Sequence, residues 1–418
     1  MTLNAALTTS TTGLSAQASA ISNISNNLAN SSTTAYKGTD TDFSDLVSGS
    51  SAGGVTATAD YDNDVQGDLT STSTETDLAI DGSGYFVVKT ATRAADGTLT
   101  FSAEEYYTRC GDFSEDSNGY LVNSEGYYLM GWAVDTATGE PQIEPRVPIQ
   151  VSSNELNEAV ATATINYDAN LPAGEDVTGT ATASIYDSLG VAHDVTYSWA
   201  LTDASTNTWT LTIGAADGSY DAGSGTYSDY SASVEVSFDG YGALETVDYG
   251  DYYSVSGTTI SFDLQYEGAA AQTISCDLSS VTQYAGSAIN VSAFTADGVT
   301  TGSYKSAEID SSGNVNIIYT NGQSEVFYQI PIATFMADDA LQNLTGNAYR
   351  ETTSSGTATY SAAGTDGAGS IASSTLEGSN VDLASEFTDL VSVQQVYSAN
   401  AKVVSAVSEM MKVLIDLQ

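Results

Sequence analysis

Asp382–Gln418 reads DLASEFTDLVSVQQVYSANAKVVSAVSEMMKVLIDLQ. Leu390, Tyr397, Val404 and Met411 recur every seven residues, and Val393, Val407 and Leu414 fill a second line with Asn400 as its one polar member. This 3-4 spacing puts both lines on one stripe of a helix. No Pro or Gly interrupts the run after Gly378. A helix of about 36 residues is roughly 54 Å long. The stripe is narrow, as in a coiled-coil seam. A pattern this long favours a coiled coil over a helix packed only on its own domain.

The other end of the chain offers a partner. Leu7, Leu14, Ile21 and Leu28 are again seven apart, and Leu3 and Ile24 take the second seam position. Ser10 and Gln17 leave that second line half polar, so this helix is weak alone. Asn30 to Thr34 prefer caps and turns and end it. The chain between the two helices has the composition of β structure. The expected fold is therefore multidomain α+β. Two long terminal helices pair in coiled-coil fashion and carry two mainly antiparallel β domains, the second inserted into the first.

The boundaries follow from composition. Residues 1–35 and 376–418 form the helical part. Residues 36–76 and 350–375 are polar, Thr/Ser/Gly-rich extended connectors. A first β domain covers 77–148 and 300–349. It opens on the hairpin pattern DLAIDGSGYFVVKT (77–90), and Asn118-Gly119 marks a further turn. Pro141, Pro145 and Pro148 cluster in a chain with only 5 prolines, which marks a boundary. Residues 149–299 then read as the inserted domain. Val195, Tyr197, Trp199 and Leu201 alternate, as do Trp209, Leu211 and Ile213, and Ile260, Phe262, Leu264 and Tyr266. Short strands so punctuated predict a sandwich or barrel.

Charge excludes whole classes of function. Nine Lys and Arg against 53 Asp and Glu leave a net charge of −44 over 418 residues. Nucleic acid needs cations to neutralise its phosphates, and an anionic membrane surface attracts basic segments. Neither partner fits. No apolar run of about 20 residues predicts a transmembrane helix. The N-terminus MTLNAALTTSTTG has no basic and apolar regions of a secretory signal.

No catalytic set emerges. His193 is the only histidine, and it shares an alternating face with Val195, Tyr197 and Trp199, so a structural role is expected. Gly49-Ser50-Ser51-Ala52-Gly53 matches a nucleophile elbow but lacks the strand and helix that the elbow needs. Asp60, Asp62 and Asp64 start like a calcium loop, but Val65 and Ser71 stand where that loop needs Gly and Glu. Cys110 and Cys276 fit no metal or disulfide spacing, and Cys276 reads as a core thiol beside Ile274 and Leu278. No enzyme, cofactor or metal is expected.

Several stretches together resemble the bacterial flagellar hook proteins, members of the rod and hook axial family. They are ISNNLANSSTTAYKG near the N-terminus, then DLAIDGSGYFVV and YTRCGDFSEDSNGYLVNSEGYYLMGW. IYDSLGVAHDVTYSW, IDSSGNVNIIYTNGQ and the C-terminal LEGSNVDLASEFTDLVSVQQVYSANAKVVSAVSEMMKVLIDL follow in the family's order. Ala35 departs from the family's usual Gly, and Cys110 from a small residue. Asp338-Asp339-Ala340-Leu341 replaces a Pro- and Gly-containing turn. The resemblance implies a structural subunit that stacks into a short curved tube outside the cell and passes torque from rod to filament as a universal joint. It implies a homopolymer with rod and hook–filament junction proteins as neighbours, a cap during growth, and export by the flagellar type III apparatus. The paired helices would line the channel and the inserted domain would lie outermost. On that reading the subunit interface is Leu7, Leu14, Ile21, Ile24, Leu28, Leu390, Val393, Tyr397, Val404, Val407, Met411 and Leu414. A distal rod protein, a junction protein and a secreted acidic adhesin or surface-layer protein are the alternatives.

Overall fold

The computed structural model describes residues 3–48, 51–94, 97–152, 156–174, 176–248 and 254–416. The Gly49–Gly53 elbow match falls partly outside them. The chain is mostly β, with one long helix at each end: α1, Leu3–Ala29, and α2, Leu383–Asp416. It divides into two compact units. Unit 1 is Met1–Ser153, Lys305–Ile318 and Ser324–Gln418; unit 2 is Asn154–Tyr304 and Tyr319–Gln323.

In unit 1, both segments that the sequence marks as connectors carry paired strands. Thr39–Ser48 and Ser51–Tyr61 form an antiparallel hairpin, in register from Thr39↔Tyr61 to Leu46↔Gly54 and shifted by one residue after Leu46. It lies on α1: Val55 N–H donates to Thr12 Oγ1 at 3.2 Å. Thr359–Ala362 pairs with Pro331–Thr334, and Ser370–Ser373 with Leu78–Asp81. The main sheet has 14 strands, with Tyr127–Val134 and Tyr85–Arg93 at its centre. Its core is aromatic. Tyr85, Tyr107, Met130 and Tyr349 are buried together with Phe335 and Tyr360 against them. Their rings meet edge to face, as at Tyr107 and Phe335, 4.8 Å apart, an arrangement that aromatic quadrupoles favour.

Unit 2 stacks two sheets on one core. Five strands, Thr178–Tyr186, Ala192–Asp203, Thr208–Asp221, Thr226–Phe238 and Leu244–Asp248, form an antiparallel meander. The alternating Val195, Tyr197, Trp199, Leu211, Ile213 and Val236 point inward and are buried, as the period-2 pattern requires. The second sheet is mixed rather than purely antiparallel: Thr164–Pro172 pairs in parallel with Gln272–Asp277 and Thr282–Tyr284. Parallel pairing needs distant crossovers, which local turn signals do not reveal. Cys276 is fully buried in this core, as its neighbours predict.

One turn recurs in both units. Asp116, Asp187, Asp239 and Asp310 each accept backbone N–H bonds from the residues two and four positions on. The glycine three positions on has positive φ every time: Gly119, Gly190, Gly242 and Gly313. The D-x-x-G spelling therefore encodes a closed Asx-type turn, and it gives part of the acidity a structural purpose.

Among the described glycines of unit 1, Gly111 is the most closely enclosed. A Cβ there would lie 1.8 Å from the Leu78 carbonyl oxygen, which itself accepts no space-yielding rotamer because it is backbone. Gly111→Ala is expected to destabilise unit 1 by about 1–3 kcal/mol or more, the usual cost of overpacking. Urea unfolding followed by hydrogen exchange of the unit 1 amides would measure it, and an unchanged midpoint would contradict this packing.

Candidate functional site

The helix pair is built from small residues. Asn27 Nδ2 donates to Glu386 Oε1 at 2.8 Å, and fourteen residues further along each helix Gly13 meets Asn400. α1 and α2 therefore run antiparallel. A Cβ on Gly13 would sit 2.9 Å from Asn400 Nδ2, so glycine is what lets the one polar seam residue enter the contact. The buried line of α1 is Ser10, Gly13, Ala16, Ala20, Ile24 and Asn27. Small side chains let helix axes approach closely. Leu7, Leu14, Ile21 and Leu28 flank this line and stay half-buried.

On α2 the coverage is uneven. Val407 is 3% exposed, while Leu390, Val393, Val404 and Met411 are half-buried and Tyr397 is 41% exposed. The Leu414 side chain lies outside the described residues. So of the seam residues the structure buries Ile24 and Val407. It leaves the remaining seam residues partly open. The 3-4 reading also missed a third line. Val396, Val403 and Met410 are again seven apart and are 43%, 43% and 48% exposed. Phe387 and Val391 are exposed as well. The apolar face of α2 is thus wider than a two-position seam, and α1 covers only part of it.

The pair is tied to the β structure by a polar neck. Asn27, buried at the end of α1, donates to the Thr39 carbonyl at 3.1 Å and accepts from Thr39 N–H at 3.0 Å and Tyr36 Oη–H at 3.3 Å. Asn380 does the same before α2, accepting from Gly38 N–H at 2.7 Å and donating to the Asp62 carbonyl at 3.1 Å. Between them lies Glu377, 1% exposed. It accepts from Lys37 Nζ at 2.6 Å, Arg109 Nη1 at 3.3 Å and Gly67 N–H at 2.9 Å. Burial pushes the Lys37 ammonium below its usual range, although the Glu377 carboxylate pulls the other way. Gly67 is obligatory, because a Cβ there would lie within 2.2 Å of the Gly378 carbonyl oxygen. Ala35 takes φ 54 and donates its N–H to the Glu377 carbonyl at 2.9 Å. That left-handed backbone explains why a glycine suits this position.

Elsewhere the reactive side chains serve structure. His193 Nε2 lies 3.0 Å from Asp187 Oδ2, and its ring stacks 3.4 Å from Tyr266. Burial would raise the Asp187 carboxyl, but His193 and the N–H groups of Val191 and Leu189 outweigh it and hold it low. Both cysteines are buried free thiols, and burial pushes Cys276 up to about 12. Among the described residues no group of three or more His, Cys, Asp or Glu could hold a metal ion. No helix among them is long and apolar enough to cross a membrane.

Four family models match the chain in order. The model described as Flagella basal body rod protein matches residues 7–37, and Flagellar hook protein FlgE/F/G D1 domain matches 79–169. Flagellar basal body protein FlaE D2 domain matches 155–299, and Flagellar basal body rod FlgEFG protein C-terminal matches 372–417. Over 428 residues the chain is 33% identical to the flagellar hook protein FlgE of Brucella suis, covering 100% of both. It is 33% identical over 429 residues to that of Rhizobium meliloti, again covering 100% of both. To that of Salmonella typhimurium it is 29% identical over 426 residues, covering 97% of this chain and 98% of the other.

The neck can be tested at its centre. Removing one partner of a buried ion pair strands a charge and costs about 3–5 kcal/mol. Glu377→Ala strands two cations, so it is expected to destabilise unit 1 by at least that amount. Lys37→Met, which leaves Arg109 to balance the carboxylate, is expected to cost less. Denaturant unfolding of the three proteins checks the order, and an equal, small effect of both changes would show that the neck carries little of the fold.

Proposed function

We propose, from the premise that the chain belongs to the flagellar hook protein family and is a structural subunit of the extracellular hook, that it polymerises through the apolar face α2 leaves open. The family is a structural one, and membership in it supports polymerisation into the hook. The finer reading is that copies stack into a curved tube that serves as a universal joint, with their helix pairs packed side by side. The observation that carries it is the exposed line Val396, Val403 and Met410. Large apolar surfaces of this kind mark interaction sites. The half-covered Leu7, Leu14, Ile21, Leu28, Leu390, Val393, Val404 and Met411, with the exposed Tyr397, would extend the same contact. Ile24, Val407 and Leu414 would complete the seam.

The partners proposed are further copies along the tube, rod and hook–filament junction proteins at its ends, a cap during growth, and the type III export apparatus. Matches to rod-protein descriptions at residues 7–37 and 372–417 support a terminal design shared with the rod. The helical part would be 1–35 with 376–418, reached through 36–76 and 350–375. The first β domain would be 77–148 with 300–349, and 149–299 an insertion that the tube does not need for assembly. Ile149 and Val151 are buried in unit 1, so a deletion is best cut after them.

Burying an apolar side chain contributes about 1.5–3 kcal/mol, and an unpaired carboxylate in the same place costs several kcal/mol more. The penalty recurs in every copy of a polymer. Val403→Asp is therefore expected to raise the critical concentration for assembly by orders of magnitude while the thermal unfolding of the β domains stays put. Val407→Asp is expected to unpair the helices within one chain as well, seen as lost helical circular dichroism in the isolated subunit. Normal polymerisation of Val403→Asp would remove the α2 face from the assembly surface.

A second outcome concerns the insertion. A chain in which a short Gly/Ser link replaces residues 154–304 is expected to form thinner tubes under the electron microscope. If it fails to fold, unit 1 is not autonomous and the insertion reading goes with it.

A further inference from the structure

Carboxylates from four segments converge where the hairpin, the turn after it, the turn at Asp338–Ala340 and the start of α2 meet. Asp40 and Asp60 stand directly opposite each other in the hairpin register, a placing that like charges disfavour. Both line a cavity of about 350 Å³ whose wall also carries Asp42, Glu386 and Asp389. Asp62 closes the hairpin. Its N–H donates to the Gly38 carbonyl at 3.1 Å, and its own carbonyl accepts from Asn380 Nδ2 at 3.1 Å and Val65 N–H at 3.3 Å. Asp64 follows on the same turn. Asp338 and Asp339 come from the β structure, where Asn63 Nδ2 donates to the Asp338 carbonyl at 2.9 Å.

The nearby cations are Lys37 and Arg109, and both are committed to Glu377. Among the described residues, no ion pair reaches Asp40, Asp60, Asp62, Asp64, Asp338, Asp339, Glu386 or Asp389. The only neutral help is local, such as the bond from Asn27 to Glu386. Burial, then repulsion from Asp40, Asp60, Asp64 and Asp339, pushes Asp62 up to about 6. Asp40, Asp338, Asp339 and Glu386 are raised with it, burial again leading.

We propose that this neck is a proton-sensitive hinge: taking up protons draws the hairpin and the start of α2 onto the β domain, and losing them loosens the base of the helix pair. Every group involved belongs to one chain, so the hinge stands whether or not the α2 face is the polymer contact. The direction follows from linkage. A carboxyl whose value is higher in the folded chain than in the open one binds more protons when folded. The hinge is firmest below the ordinary value of 3.8, weakens as pH rises through about 6, and has lost that support above it. A change of one pH unit across such a group alters the closed-to-open ratio by up to about tenfold.

Hydrogen–deuterium exchange on the full chain tests this, at pH values of about 5 and about 7.5 on either side of the Asp62 transition, with intrinsic rates corrected. Amides of residues 36–42, 58–66 and 380–390 are expected to lose roughly tenfold in protection at the higher pH, while amides of the unit 2 meander hold steady. Asp62→Asn is expected to remove most of that loss by raising protection at the higher pH alone. Asp40→Asn, which relieves the cross-strand pair instead, is expected to remove part of it. The hinge is overturned if the wild-type neck shows no such loss, or if both variants keep the wild-type response.

Discussion

One buried carboxylate holds the three places where this chain changes course. Glu377 draws in Lys37, just past α1, and Arg109, inside the β structure, across separations of 340 and 268 residues. Two charges taken out of water are expensive, and their attraction offsets that cost only when the geometry is good and the remaining bonds are made. Most of them are made here: Lys37 also donates to the Val65 carbonyl, Arg109 to the Gly82 carbonyl, and Gly67 N–H to the carboxylate, while Arg109 Nε is buried without a partner. The knot therefore specifies more than it stabilises. It forms only when both ends of the chain reach the folded β domain. The paired helices are thereby conditional on the domain from which they extend.

Two groups within the large negative charge have opposite physical meaning. One is enlisted in turns, where Asp116, Asp187, Asp239 and Asp310 accept backbone N–H groups that would otherwise go unpaired. The other gathers at the neck, where the two cations, Lys37 and Arg109, are committed to Glu377. The chain has few to spare. Lys37, Lys89, Arg93, Arg109 and Arg146 all pair with carboxylates within unit 1. Residues 154–304 contain no Lys or Arg at all. His193 is then the one side chain of this stretch that can carry a positive charge, and it already faces Asp187. Repulsion among its carboxylates is screened beyond about 8 Å at physiological salt.

The sequence disclosed what periodicity can disclose. Seven-residue spacing marked both helices, period-2 alternation marked the inward faces around Trp199 and Leu211, and Cys276 was placed by its neighbours. What it hid depends on tertiary contact. The hairpin of residues 39–61 has no large apolar alternation and takes its support from α1, so a polar composition disguised it. The buried line of α1 runs through Gly13, Ala16 and Ala20, small residues that large-apolar spacing passes over. Glu377 sits in an unremarkable Leu-Glu-Gly, and nothing local announces that two cations from distant segments will find it. The D-x-x-G turns were visible in the text but become meaningful only when four of them show the same bonds.

These hidden features explain how a helix can be paired and still keep apolar side chains exposed. A pair joined through large residues would bury its whole apolar face and have nothing left to offer. Small residues on α1 shorten the distance between the axes and occupy little of the α2 surface. The bond from Asn27 to Glu386 marks the register, with Asn400 held in the space that Gly13 leaves. The bulky side chains are then displaced to the flanks, half-covered on α1 and open on α2. Isolated helices with so little mutual burial are marginal in water, so the neck has to hold them near each other until something covers the flanks. Order at the termini is thus shared among three sources: the buried ion cluster, the small-residue contact and the surface still exposed. Weakening any one of them shifts the demand onto the other two.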